Sequence, residues 1–271
     1  LMYLESFGNP TRFLSIARRV TRKKPILAVK SGRTAAGARA AFSHTGALAG
    51  VGAAYDTLLD QAGVIRVDSM SEMFDLATAF AHERRPQGNR VGILTNAGGP
   101  AIMATDACAT LGLEVAELGA GTQAKLRRVL VPEASVRNPV DMVAAADASS
   151  YSQALAILKD DPGLDGLIVI FVSPIMINAL EVARAIIAAS QSARLPILTC
   201  FMGKEQGRRG VEELRRAGIP VYQFPEEAAR AMAGLDHHRR IRERVQGAHR
   251  AFEVDRPRAG AVLRAAAAAG R

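Results

Sequence analysis

The sequence predicts an α/β protein with helices on both faces of a parallel sheet, and three observations predict it. Short apolar runs bounded by turn residues recur along the chain, segments with helical spacing separate them, and part of this strand–helix pattern occurs twice.

In order, Leu1–Ser6, Ile26–Val29, Val91–Leu94, Leu167–Val172, Ile197–Cys200 and Val221–Tyr222 read as strands. Runs with little polar alternation suit strands covered on both faces, as in parallel sheets. Between them, Met70, Met73, Phe74, Ala77 and Phe80 fall at helical spacing, as do Tyr151, Leu155 and Leu158, and Ala179, Ala183, Ile186 and Ile187. His82, beside Glu83-Arg84-Arg85-Pro86, is expected to end a helix.

The repeat is specific. Pro25-Ile26-Leu27 followed by Gly32 matches Pro196-Ile197-Leu198 followed by Gly203 at an offset of 171, and Ala62-Gly63-Val64 with Glu72 matches Ala217-Gly218-Ile219 with Glu227 at an offset of 155. Each copy reads strand, glycine turn, helix, short strand, helix. The first copy carries sixteen extra residues, which lie within Arg33–Gly50 and include Ser43-His44-Thr45-Gly46. Connections at the C-terminal edge of a parallel sheet are where such folds place binding sites. The second copy is preceded by about a hundred residues and the first by few, so the chain is expected to start inside a domain. The expected division is a partial first domain over 1–87, a second domain over 88–236, and a basic helix and linker over 237–271 leading towards a further domain.

Composition narrows the function classes. With 271 residues and 49% hydrophobic content, the chain can pack one large or two modest domains, and disorder is excluded. Cys108 and Cys200 sit in apolar segments far apart, which excludes a disulfide framework and fits a reducing compartment. No apolar run approaches the ~20 residues that span a bilayer, and the first residues have no signal-peptide pattern. A soluble, cytoplasmic protein without a membrane partner is expected. The formal net charge is +9, but residues 1–39 carry +8, residues 40–229 carry −5 and residues 230–271 carry +6. Charge confined to the ends, with 5% aromatic residues, argues against nucleic acid as a partner.

Three segments have the residue types of a site. His44 lies between Ser43 and Thr45, with Gly46 and then helix formers following, so its ring is expected at a helix N-terminus where hydroxyls, amides and the dipole favour an anion. Such a histidine can serve as a general base or take a phosphoryl group itself. In Thr95-Asn96-Ala97-Gly98-Gly99-Pro100 a strand ends in a glycine turn, with Pro100 read as the first helical position. The free amides of such a turn hold phosphate, although the same pattern also serves close packing. In Asn138-Pro139-Val140-Asp141, Asn-Pro starts a turn and Asp141 either caps a helix or supports a site. Glu5, at the end of the first strand, is either a routine exposed carboxylate or the acceptor of a ring N–H from His44. His237-His238 reads as a solvated face. Neither a P-loop nor a Gly-x-Gly-x-x-Gly motif is present, and no metal site is expected.

Together, Lys24–Arg33 leading to Ser43-His44-Thr45-Gly46-Ala47, then Asn96–Pro100 and Asn138–Asp141, resemble the ADP-forming acyl-CoA synthetases of the succinyl-CoA synthetase superfamily. The resemblance covers Leu1 to about Gly234. It implies two flavodoxin-like ligase domains, the first truncated at its start, and an acid–thiol ligase converting carboxylate, CoA and ATP to acyl-CoA, ADP and phosphate. By resemblance, His44 is the transient phosphohistidine, Glu5 stabilises it, and Ser43, Thr45, Gly46 and Asn96–Gly99 (Asn96, Ala97, Gly98, Gly99) surround the phosphate, with Asn138 and Asp141 as support. ATP or ADP with Mg and CoA would be bound mainly by ATP-grasp and CoA-binding domains of the same or a partner chain, in a possible oligomer. The fragment by itself is expected to be inactive. The alternative implied by resemblance is the ligand-sensing domain of a bacterial protein lysine acetyltransferase of the GNAT type.

Overall fold

The computed structural model describes residues 1–5, 7–32, 34, 36–37, 39, 52–245 and 255–269. Its strands in chain order are β1 Met2–Leu4, β2 Leu27–Lys30, β3 Ile65–Val67, β4 Arg90–Thr95, β5 Glu114–Val115, β6 Val140–Asp141, β7 Gly166–Val172, β8 Ile197–Met202 and β9 Val221–Tyr222. The helices are α1 Pro10–Thr21, α2 Gly52–Ala62, α3 Met70–His82, α4 Gly98–Thr110, α5 Ala120–Val129, α6 Ala148–Leu158, α7 Ala179–Ser192, α8 Lys204–Arg216, α9 Pro225–Glu243 and α10 Arg256–Ala268. Polar side chains start several of them: Asn9 accepts the Arg12 N–H at 2.9 Å, Asp147 accepts the Ser150 N–H at 2.9 Å, and Asn178 accepts the Leu180 N–H at 3.1 Å.

Two parallel sheets result. The first has the order β1–β2–β3, and the second β5–β4–β7–β8–β9, with β6 pairing the end of β4 on the β5 side. The order of the second sheet is that of flavodoxin-like folds, 2-1-3-4-5. Alternate residues face opposite layers. Val91, Ile93, Ile168, Ile170, Leu198 and Cys200 pack with α4 and α9, whereas Leu94, Leu167, Val169, Phe171 and Phe201 pack with the α6 and α7 side. Both cysteines are free and buried, and burial pushes the Cys108 thiol up to about 12. No helix among the described residues is long and apolar enough to cross a membrane.

The internal repeat is a structural one. Leu4 pairs with Lys30 as Phe171 pairs with Phe201, and Ala28 pairs with Arg66 as Thr199 pairs with Val221. The three strands of the first sheet therefore correspond to β7, β8 and β9. Gly63 and Gly218 take φ of +70° and +74°, and each lets the next amide reach back 2.9 Å to the carbonyl of a fully buried leucine, Leu59 or Leu214.

Helix α9 joins the two units and corrects one expectation. It runs unbroken past residue 236, so residues 237–243 belong to the folded body. His238 is buried rather than solvated, at 2% exposure, with its Nε2 3.0 Å from the Thr21 carbonyl and its ring edge-on to Phe80. Ile241 packs with Leu27, Val29 and Ile65 of the first sheet, and Gly234 leaves room for Leu76. The helix has many charges yet buries ten residues, because small residues allow close approach and Asp236 pairs with both Arg239 and Arg240.

At the same junction, burial raises the Glu83 carboxyl to about 7, against backbone N–H donation from Ile197. A folded-state pKa above the unfolded value means the contribution is complete below pH 4.5 and is lost as pH rises through 7. Glu83→Gln is therefore expected to stabilise the protein at pH 8 by up to about 3 kcal/mol, with the gain vanishing near pH 4. Urea unfolding at the two pH values measures this difference. His238 works the other way, since burial lowers its pKa from 6.5 and its contribution fades as pH falls below that value. Comparing variant with wild type at each pH cancels that term.

Candidate functional site

Apart from Asn138, the sequence-predicted residues within the described part lie at the C-terminal edges of the two sheets. His44, Ser43, Thr45 and Gly46 lie outside the described residues.

At the edge of the first sheet, Glu5 directly follows β1 and Lys30 ends β2. The Ser31 N–H donates to the Leu4 carbonyl at 3.0 Å, extending the β1–β2 ladder by one bond. Gly32 then turns the chain at φ +70°, a conformation that favours glycine. Lys30 is buried, its ammonium donates to the Ser31 carbonyl, and it lies over the Tyr55 ring at 4.7 Å from the centroid. Burial lowers the Lys30 pKa, and the negative charge of Glu5 raises it in part.

At the edge of the second sheet, Asn96 is buried and clamps β4 to β7. Its Oδ1 accepts the Val172 N–H and its Nδ2 donates to the Val172 carbonyl, both at 2.9 Å. The Ala97 N–H donates to the Thr95 hydroxyl at 3.0 Å. Helix α4 begins at Gly98, two residues before Pro100, which therefore occupies the third helical position rather than the first. Ala97 offers no side-chain cap, so the first-turn amides of Gly98 and Gly99 have no intrahelical partner. A Cβ on Gly99 would meet nothing within 4 Å, which leaves that side of the helix start open to an anion.

Asp141 stands beside this turn and caps no helix. It ends β6, accepts the Val143 N–H at 3.0 Å, and lies so close that a Cβ on Gly98 would be 3.1 Å from its Oδ2. Val143 adopts φ +59°, an outlier for a β-branched residue, and its N–H is the group that Asp141 holds. Asn138 is further back along the strand. Its Oδ1 accepts the Ile93 N–H at 2.9 Å, and its Nδ2 donates to the Val91 and Ala116 carbonyls, both at 2.8 Å. Asn138 supports the sheet itself, with both of its donors consumed. The structure thus brings Asn96, Ala97, Gly98, Gly99 and Asp141 together and holds Asn138 apart.

A cavity of about 620 Å³ lies elsewhere, between α1, the end of α2 and the end of α9, and includes none of these residues. Two of its arginines serve a helix C-terminus and its neighbours: Arg18 donates to the Gln61 carbonyl, and Arg244 donates to the Asp60 carbonyl and pairs with its carboxylate. The chemistry-bearing residues are at the opposite ends of the strands.

Sequence reasoning missed Lys30 and Tyr55. The signal was available, because Lys30 ends a strand whose repeat partner, 171 positions on, is Phe201.

Comparison with known proteins fits this arrangement. Residues 1–80 match the succinyl-CoA ligase like flavodoxin domain, and residues 91–257 match the Ligase-CoA domain. The chain is 40% identical over 238 residues to the acetate–CoA ligase [ADP-forming] II subunit alpha of Pyrococcus furiosus, covering 86% of this chain and 52% of that protein. It is 38% identical over 237 residues to the 4-hydroxybutyrate–CoA ligase [ADP-forming] of Nitrosopumilus maritimus, covering 87% and 34%. A solved structure described as dinucleotide forming acetyl-coenzyme A synthetase 1 of Ca. Korarchaeum cryptofilum, in complex with phosphate and ADP, superposes with a TM-score of 0.84 at 31% identity, covering 89% of this chain and 53% of that one. The chain thus spans between a third and about half the length of these relatives. With residues 91–257, more than half of the chain, matching its model, the chain belongs to the Ligase-CoA domain family of succinyl-CoA ligase-like proteins.

Proposed function

We propose that this chain is the central ligase portion of an ADP-forming acyl-CoA synthetase, an acid–thiol ligase converting carboxylate, CoA and ATP to acyl-CoA, ADP and phosphate. His44 is its phosphoryl carrier. The observation that carries the reading is the position of Glu5: in a chain of this family, it follows the strand that pairs directly with the one leading into the His44 segment.

The chemistry follows from these residues. An unprotonated imidazole nitrogen of His44 attacks the γ-phosphorus, the bond to ADP breaks, and the ring's other N–H stays on the Glu5 carboxylate, which fixes the tautomer. Ser43, Thr45 and Gly46, the sequence neighbours of His44, and the open amides at Gly98 and Gly99 supply donors for the phosphoryl oxygens, with Asp141 holding the loop next to those glycines. Mg²⁺ arrives with the nucleotide.

Nucleotide and CoA are held by ATP-grasp and CoA-binding domains in the same or a partner chain. The subunit alpha name of the Pyrococcus relative supports a multi-part assembly, as do Ile175 and Met176, which are 85% and 89% exposed after β7. The two sheets support a division near residue 87, with domains over 1–87 and 88–236. Two free cysteines and nucleotide chemistry support a cytoplasmic setting.

The test is turnover of the complete protein with its partner domains. Beyond the single equivalent of ADP released as His44 is loaded, ADP is expected to keep forming from ATP only when both CoA and a carboxylate are present. Sustained ADP release that is indifferent to CoA and carboxylate contradicts the proposal.

A further inference from the structure

The two units carry different chemistry on one matching helix face. Asn9 and Asn178 cap α1 and α7 at equivalent points, 169 positions apart, and at that offset buried Ala17 falls on buried Ile186 and Thr21 on Ser190. Arg18, Arg19 and Arg22 of α1 then fall on Ile187, Ala188 and Gln191 of α7. Ile187 packs against the core of its own unit. The architecture therefore needs none of the three charges.

Those arginines and Arg244 line the cavity of about 620 Å³ between α1, the end of α2 and the end of α9, and among the described residues no carboxylate lines it. The volume is that of ordinary small-ligand sites. Its walls are pinned to one another. The Thr21 hydroxyl lies 2.9 Å from both the Ala17 and the Ala62 carbonyls, which ties α1 to α2, and His238 of α9 lies 3.0 Å from the Thr21 carbonyl. Arg18 and Arg244 are placed by the Gln61 and Asp60 carbonyls, whereas Arg19 and Arg22 are exposed and pair with no carboxylate among the described residues.

This charge exceeds what helix ends require. Three helix C-termini each bring roughly half a negative charge, and Asp60 brings one more, so four guanidiniums leave the cavity positive. Leu14, Ala62 and Ile241 contribute apolar lining, and Thr11 and Ser15 contribute hydroxyls. A guanidinium presents a planar fork of donors that matches phosphate oxygens two at a time, so several forks around one cavity suit more than one phosphate.

We infer that this cavity binds a small polyanion carrying two or more linked phosphate groups, either a free polyphosphate or the diphosphate of a nucleotide. It lies at the ends of the strands opposite to the Gly98–Gly99 turn, so it is a second site, and the inference is independent of His44. A ligand held here touches α1 and α2 of the first unit and the helix that runs in from the second, and it stabilises their junction.

The experiment titrates the complete protein with inorganic pyrophosphate by calorimetry. Wild type is compared with Arg19→Gln/Arg22→Gln and with a control, Arg128→Gln/Arg209→Gln, which removes the same charge from exposed positions on α5 and α8. Arg18 and Arg244 are left in place because they also hold helix ends. The Arg19/Arg22 variant is expected to keep its thermal midpoint and to bind pyrophosphate at least about tenfold more weakly, since charge-assisted contacts are lost. The control is expected to change affinity by less than about twofold. Pyrophosphate is expected to raise the thermal midpoint of wild type and control. ADP, titrated in the same way, separates the two sources: an Arg19/Arg22-dependent affinity higher for ADP than for pyrophosphate assigns the phosphates to a nucleotide, and the reverse assigns them to a free polyphosphate. Absence of pyrophosphate binding by wild type, unchanged binding by the Arg19/Arg22 variant, or an equal loss in the control overturns the site. Each of those results leaves the phosphohistidine reading untouched.

Discussion

Glu5→Gln is expected to slow phosphoryl loading of the complete protein by about 10²-fold, some ~2.7 kcal/mol of barrier, while leaving the fold intact. The expectation follows from position. Glu5 lies beyond the last ladder residue of β1, so its side chain carries no strand pairing. The neutral amide retains an acceptor oxygen but not the charge that stabilises a ring becoming cationic as it transfers phosphate. Loading rate and thermal midpoint are measured on the same preparation. Loss of both together assigns Glu5 to the fold, and unchanged loading removes it from the site.

Asn138→Ala is expected to have the opposite signature. Three backbone groups, the Ile93 N–H and Val91 carbonyl of β4 and the Ala116 carbonyl just past β5, bond to this one side chain. Alanine leaves all three without a partner at a part-buried position, at about 1 kcal/mol or more apiece. A loss of about 3–5 kcal/mol is expected, visible as a large fall in the denaturation midpoint, with the folded fraction still loading phosphate at His44. A folded, stable Asn138→Ala protein that fails to load gives the residue a direct role in the site instead.

The two variants mark what the sequence made legible. Strands β2, β4, β7 and β8 were readable because a strand covered on both faces needs a nearly unbroken apolar run. Strands β5 and β6 were not, since two residues each, Glu114–Val115 and Val140–Asp141, give no periodicity to detect. Without β6 in view, Asn138 and Asp141 read as a turn and a cap, although one spans the gap beside β4 and the other braces the start of α4. His238 was misread for another reason. Helix α9 lies between two units, so a face that looks solvated by charge pattern is covered, and Arg239 and Arg240 pair along the helix with Asp236. The repeat was legible as two matched blocks. The copies differ at Lys30 against Phe201, and there the strand register supplied the alignment.

The central claim is that His44 carries a phosphoryl group between nucleotide and acyl chemistry. It is tested most directly by exposing the complete protein to γ-labelled ATP, mapping the label, and then adding CoA and a carboxylate. The account predicts a single acid-labile, base-stable phosphate on His44, absent from His44→Ala, which is discharged when CoA and carboxylate are added together. A nucleotide-competent protein that turns over without labelling, or whose label persists in His44→Ala, contradicts it.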